Sequence, residues 1–597
     1  MKKIIAILLA VLCILSFVAC DSENNSSNEN NENANTQCQH TYGKWQTDAS
    51  ATCTTSGLRH RICSKCSDVE TQTITALGHT TSDGVCSRCY VQIGNNNNNN
   101  NSDSTNNSND QSNDSTATVL FDFVQLSDGN YSVKGIKDTK TKNVVIPSTH
   151  NGKPVVSIEE GAFSDNERMQ SISIPDSITY IGERSFYNCK GLTTVELPDS
   201  VVDIDAYAFS GCTSLKTLIL PSELDYVAST AFYNCSSLTT VTAPIKAISA
   251  LSTDTIKDIT FLGEGILPEK TFTMWSSLTN VFISEGVTEI GVGAFQYCYK
   301  LESVSLPSTL LKINDAAFDG CKLLSSVIIP NKVEIIGKRS FAGCESISQI
   351  EIPSSVMTIE ECAFYNCSGL KSIALPQDIT LIDEYTFYNC DSLLAITIPN
   401  KVREIAANAF YSCDALEGIQ LPSSIRKIGD SAFKDCKSVR ELIIPEGVTE
   451  VGTRIAGDCI NLKKIVIPST IVTYGEYLVS NSNNIEFVEC PVQCIDNMKL
   501  DIRDSVVTLV INSGTSIDGD ALYAVYGMSK LQNVVLGKSI TTIAAYAFQN
   551  CTTLKHIFSE ATSRPSGWSG KAFYGCNNAS FHFANSWYFV NGMPVVK

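Results

Sequence analysis

The chain has 597 residues, 18% of them charged, with a formal net charge of −18 and a sequence pI near 4.9. That acidic balance makes nucleic acid and anionic lipid headgroups poor partners. With six histidines in all, no phosphate loop and no nucleophile elbow, the chain lacks the parts of an enzyme, and no catalytic residue is expected.

The chain opens MKKIIAILLAVLCILSFVAC, two lysines and an apolar run ending at Cys20. This reads as a secretory signal peptide over residues 1–19, and no other apolar run reaches membrane length. The end of it, Phe17-Val18-Ala19-Cys20, resembles a bacterial lipobox, although Phe17 departs from the usual aliphatic residue. The resemblance implies lipidation of Cys20 and an exported, surface-exposed protein held on the outer face of the cell membrane. Ordinary cleavage with release, or an uncleaved anchor, is the alternative. A fatty-acid probe fed to cells should label the wild type and not Cys20→Ala; equal labelling of both excludes the lipid anchor.

Residues 20–36 and 95–117 are rich in Asn, Ser and acidic residues and include the run Asn95–Asn101. Neither stretch can bury apolar surface, so both read as disordered, a tether and a linker. Between them lies a Cys/His island at 37–94. It holds Cys38, His40, Cys53, His60, Cys63, Cys66, His79, Cys86 and Cys89. The pairs Cys63-x-x-Cys66 and Cys86-x-x-Cys89 each offer two thiolates from one tight turn, at a zinc-ribbon spacing. The island also resembles short Cys/His modules of modular surface proteins of gut-type bacteria. Structural zinc is the cofactor expected, with Cys38, His40, Cys53, Cys63, Cys66, His79, Cys86 and Cys89 as candidate ligands. Six cysteines in an exported chain equally permit a disulfide knot. Elemental analysis of reduced protein separates the two.

From residue 118 the sequence falls into coils. Phenylalanine recurs every 23 residues at Phe163, Phe186, Phe209 and Phe232, and again from Phe272 through Phe433. Cysteine follows three residues later, and proline keeps the same step from Pro307 to Pro491. A fixed period of this length marks a solenoid whose coils share one core. Around Phe341, the apolar positions Val333, Ile336, Cys344, Ile347, Ile350 and Ile352 point to one buried face. The alternation Ile350-Glu351-Ile352 predicts a short strand that Pro353 ends. Asn188, Gly211, Asn234, Gly320, Gly343, Asn366 and Asn389 suit a left-handed corner just after the phenylalanine.

Coils such as LESVSLPSTLLKINDAAFDGC (Leu301–Cys321) and VRELIIPEGVTEVG (Val439–Gly452) resemble the BspA-like leucine-rich repeat family over about residues 119–597. The fold expected is an α/β-type repeat solenoid, mostly β, with 23-residue coils, one parallel strand per coil and the separate Cys/His module. An N-terminal cap and first coil cover 118–158, the solenoid 159–555 and a C-terminal cap 556–597. One coil near Ala243–Lys270 is short, and the Phe and Cys marks fade between Cys459 and Cys551. Thirteen cysteines sit on the ladder and read as a reduced, buried core.

The resemblance implies a surface protein for adhesion, or for binding a host or bacterial surface protein or glycan. An envelope scaffold without a host ligand, or an accessory glycan-binding protein, is the alternative. Two surfaces could bind. Outward strand positions make a neutral Ser/Thr face, on which Ser326, Ile328, Gln349, Glu351, Ser372 and Thr397 are the candidates, in the block Phe295–Cys459 expected to be most regular. A tyrosine stripe, Tyr187, Tyr233, Tyr365, Tyr388, Tyr411 and Tyr574, is the second, and rim packing explains it as well as binding does.

Overall fold

The computed structural model describes Leu120–Lys597 apart from residues 139, 252–253, 499–501 and 519–524, and short backbone segments between Gln46 and Cys86. The chain divides into two compact units, 1–117 and 118–597. In the first, strands Gln46–Ala49, Gly57–Ile62 and Val69–Ile74 form an antiparallel sheet, and Thr81–Ser82 pairs with Val85–Cys86. Cys20 and the candidate ligands Cys38, His40, Cys53, Cys63, Cys66, His79 and Cys89 lie outside the described residues, as do the tether and linker. Of the eight candidate ligands only Cys86 has a described backbone, at the end of its strand.

The second unit is a parallel solenoid, and each regular coil adds a second strand to the one expected. The first sheet takes segments such as Thr194–Glu196 and Thr217–Ile219, paired one coil apart with Thr194 opposite Thr217. The second takes two-residue segments such as Asp203–Ile204 and Tyr226–Val227. Both bury alternate side chains toward the same core, because a two- or three-residue strand cannot hide its apolar face alone. In the regular coils proline ends the first-sheet segment and its carbonyl accepts from the turn that follows, as from Val356 N–H to Pro353 O. Helix is almost absent: among the described residues it is confined to the four-residue α-helix Val492–Ile495, the single position Ile502 and two short 3-10 turns.

The corner between second sheet and first carries the phenylalanine, and its backbone alternates in handedness. All seven residues expected to be left-handed there have positive φ, from Asn188 at 55° to Gly320 at 78°. A second left-handed position, two residues before the phenylalanine, has no glycine signature: Arg184, Tyr207, Ala316, Arg339 and Tyr385 occupy it at φ 52–58°. The alternation turns successive N–H groups the same way. Arg339, Phe341 and Gly343 donate to Glu361, Ala363 and Tyr365 of the next coil, at 3.0, 2.9 and 2.7 Å. The same triplet recurs from Gly161 to Asp458 in most coils, always pointing toward the C-terminus.

Inside the corner the phenyl rings form a spine. Phe163 to Phe232 stack at 4.8–5.4 Å, and Phe272 to Phe433 at 5.1–5.8 Å, with rings within 14° of parallel. Beside it the thiols form a ladder. Each of the thirteen ladder cysteines donates Sγ–H to the carbonyl at the phenylalanine position of the preceding coil, as Cys344 does to Phe318 at 3.3 Å. Each is a free thiol. Burial pushes the Cys189, Cys235 and Cys298 thiols up to about 12, so none is a nucleophile at neutral pH.

Irregular coils keep the core by other means. The short coil replaces its corner with the 3-10 turn Ile245–Ala250, so Thr240 pairs with Asp258 only 18 residues on. Phe261 then meets Phe272 edge-on at 6.3 Å, filling the break in the spine. Toward the C-terminus, Phe487 pairs with Thr508 and Thr508 with Asn533, steps of 21 and 25 residues that restore the register. There Ala456, Val479, Ile502 and Val525 replace the phenylalanines and are fully buried. Ser482 takes the thiol's place and makes the same bond, to Ala456 O at 2.8 Å.

The expectation that Phe295–Cys459 is the most regular block is corrected for the first sheet. Pairing there is broken: Gln349–Glu351 and Ser372–Ala374 pair in register, but Ser303 meets Ser326 and Thr397 meets Gln420 only as single bridges. Where the spine is aliphatic, four-residue strands pair in full, as Thr508–Ile511 does with Asn533–Leu536.

Candidate binding surface

The outward side chains of the first sheet fall in two rows, because alternate residues of each strand face away from the core. One row runs through Thr194, Thr217, Thr240, Asp258, Asn280, Ser303, Ser326, Gln349 and Ser372. The other runs through Glu196, Ile219, Thr242, Thr260, Phe282, Ser305, Ile328, Glu351, Ala374, Thr397 and Ile443. All six candidates from the sequence are exposed, Ile328 at 76%. They do not share one run of paired strands. Gln349–Glu351 and Ser372–Ala374 are paired in register, Gln349 opposite Ser372. Ser326 instead bridges Ser303, and Thr397 bridges Gln420.

Polar side chains join across the coils. Asn280 donates to Asp258 Oδ1 at 2.7 Å, and Ser303 Oγ donates to Asn280 Oδ1 at 2.6 Å. Ser171 Oγ donates to Asn143 Oδ1 at 2.8 Å on the first coils. These chains fix the side chains at low entropic cost. They also leave acceptor lone pairs pointing to solvent.

Over the last coils the same face is closed. After Ser580–His582, the last strand of the first sheet, the chain turns back as a hairpin, Trp587–Val590 with Met593–Val596. Its two-residue turn, Asn591-Gly592, has φ of 49° and 73°, both left-handed. Asn-Gly between apolar runs is a strong hairpin signal that the sequence reading above passed over. Trp587 lies on Phe558 at 5.3 Å and its Nε1–H donates to Ser559 O at 3.1 Å. At the turn, Gly592 reaches Lys464, five strands back from Ser580–His582. Beneath it Phe487, Val510, Val535, Phe558 and Trp587 form a separate apolar cluster on the outer side of the sheet, with Val466 at its edge. Thr508 is fully buried by the same roof. The end of the chain is therefore a strap across the face rather than a plug on the last coil.

The tyrosine stripe resolves as packing over its best-defined part. Tyr365, Tyr388 and Tyr411 stack at 4.9 and 4.8 Å. Arg339 closes one end over Tyr365 at 5.5 Å, and Lys434 the other over Tyr411 at 4.6 Å. Both ring faces of each tyrosine are taken, by neighbours or by cations. Burial and the neighbouring phenols raise the Tyr388 hydroxyl above its ordinary value. Tyr187 is half-buried, while Tyr233 and Tyr574 are exposed and stand apart from this stack. Among the described residues no group of three or more His, Cys, Asp or Glu side chains converges as a metal site. No described helix is long and apolar enough to cross a membrane.

A model of the BspA-type leucine-rich repeat region matches the chain in six overlapping stretches, residues 136–262, 249–325, 265–393, 312–439, 403–524 and 521–591. A search of curated proteins finds no match. Among solved structures, a leucine-rich repeat protein from Bacteroides ovatus ATCC 8483 is 27% identical over 66% of this chain and 98% of its own, with a TM-score of 0.44. A leucine-rich cell surface protein from Faecalibacterium prausnitzii A2-165 is 22% identical over 77% and 98%, with a TM-score of 0.22. A leucine-rich repeat protein from Eubacterium ventriosum ATCC 27560 is 22% identical over 64% and 94%, with a TM-score of 0.31.

Proposed function

Because this chain belongs to the BspA-type leucine-rich repeat family, we propose that it is a lipid-anchored surface protein that binds its partner along the open outer face of the first sheet. The observation that carries this reading is the contrast along that face. Toward the C-terminus it is roofed by the chain's own strap, while through the middle it stands open with aliphatic side chains outward, Ile328 at 76% and Ile443 at 46% exposure. Large aliphatics held outward between short polar side chains are what a protein-binding face offers, since each coil supplies only a few contacts and several must act together. The partner is a host or bacterial surface protein or a glycan, and the anchor is Cys20. Zinc in the 37–94 island serves that module's own folding.

Charged substitutions on this face leave the core untouched because Ile328 and Thr397 point to solvent. The double variant Ile328→Lys, Thr397→Lys should melt like the wild type and attach to matrix-coated surfaces or cells about tenfold less. Attachment that survives in this variant and disappears when residues 37–94 are removed would make the solenoid a spacer.

A further inference from the structure

We propose that the outer face at the short coil is a binding site for a neutral sugar ring. The site rests on the reading of the first sheet as the binding face, and it lies away from the candidates at 326–397. An open groove of about 350 Å³ lies across Thr240, Asp258, Asn280 and Ser303 in one row and Thr260, Phe282 and Ser305 in the other. That volume lies at the small end for ligand pockets.

Three independent features meet there. The groove sits where the 18-residue coil departs from the repeat, and its strands are the long ones, Thr240–Pro244, Asp258–Leu262 and Asn280–Ile283. Phe282 is the one aromatic side chain in the two outward rows that the strap leaves uncovered, among the described residues. It stands partly exposed, and a phenyl face carries negative charge density that suits the C–H side of a pyranose. Beside it the carboxylate of Asp258 has Oδ1 bound by Asn280 at 2.7 Å and Thr279 at 3.4 Å, while among the described residues Oδ2 meets only the Thr240 hydroxyl at 3.5 Å. Oδ2 is a fixed acceptor open to a ligand hydroxyl. Asn280 Oδ1, which accepts from Ser303, keeps a second lone pair for the next one.

The lining holds acceptors and hydroxyls and no cationic side chain, so phosphate, sulfate and carboxylate ligands are disfavoured. An apolar disc beside fixed acceptors, with Thr260 and Ser305 hydroxyls able to donate or accept, complements a ring with one C–H face and an edge of hydroxyl donors.

The test is affinity gel electrophoresis of the full chain with three soluble neutral polysaccharides, a galactomannan, an arabinogalactan and a mixed-linkage β-glucan. At least one should retard the wild type. Phe282→Ala should weaken that retardation about tenfold or more, whereas Phe282→Tyr, which keeps the ring, should retain it. Asp258→Asn keeps the bond to Asn280 but can turn the open acceptor into a donor, and it should weaken binding comparably. No retardation by any of the three, or retardation unchanged in Phe282→Ala, overturns the site. Attachment to matrix or cells in the Ile328→Lys, Thr397→Lys variant is measured in parallel. If no polysaccharide retards the wild type, or Phe282→Ala is retarded as before, while that variant loses attachment, the surface-binding reading stands and the sugar site falls.

Discussion

Phe341→Ala is expected to cost about 3–5 kcal/mol of local stability, because it leaves a ring-sized cavity in a stack that cannot collapse. Phe341 lies between Phe318 at 5.4 Å and Phe364 at 5.6 Å and is fully buried. The backbone on both sides is fixed by one-way hydrogen bonds to the next coil, so the neighbours cannot close the gap by sliding. In a solenoid each coil is stabilised mainly by its two neighbours, so the loss falls at one junction and lowers the coupling between the halves on either side. Amide exchange should therefore rise over roughly the coils from Phe295 to Phe387, and a single denaturation step should broaden or split. Phe341→Leu should cost much less, since Val479, Ile502 and Val525 already fill the same position with aliphatic side chains. A Phe341→Ala protein that unfolds in one step with an unchanged midpoint would mean the spine is not the main tie between coils.

Trp587→Ala should release the strap, with a cost of roughly 3 kcal/mol or a little more. The indole is the strap's chief apolar contact with the sheet, lying on Phe558 and donating to Ser559 O. The rest of the hairpin gives little: Tyr588, Phe589, Val590, Met593, Val595 and Val596 all remain exposed. Losing one anchor therefore frees the whole segment after Phe583. Residues 583–597 should become cleavable by protease under native conditions, and binding of an apolar dye should rise as Phe487, Val510 and Val535 meet water. The main melting transition should move only slightly, because the core of each coil lies on the other side of the sheet. Unchanged dye binding and protease resistance would show that the hairpin is held by something other than Trp587.

Much of this was legible in the sequence. The step from Phe295 to Phe433 fixes which residues are inside, and Val333, Ile336, Ser340, Cys344, Ile347, Ile350 and Ile352 are all buried. Asn188 and Gly343 declared their corner because those residue types tolerate positive φ. Arg339 and Tyr385 did not, since their left-handed backbone is imposed by the hydrogen bonds of the neighbouring coils rather than by their own preference. The second sheet was hidden because two residues such as Thr358–Ile359 are too short to show alternation. The open groove was invisible for another reason. Asp258, Asn280 and Phe282 become neighbours only because the short coil brings Asp258 beside Thr240, and a broken period tells where regularity fails without telling what assembles there.

The one-way corner has a further consequence for how the length of such a protein can change. In most coils the corner shows carbonyls to the coil before it and N–H groups to the coil after it, so a whole 23-residue unit can be gained or lost and the two cut corners still fit. A partial unit cannot be spliced in this way without giving up the corner. The 18-residue coil shows this, having a 3-10 turn where the phenylalanine corner would be. At the last corner the pattern changes: among the described residues, the N–H groups of Phe573 and Gly575 make no such bond. Those two donors mark the seam at which another unit could be appended, so the molecule can lengthen there without redesign of anything upstream.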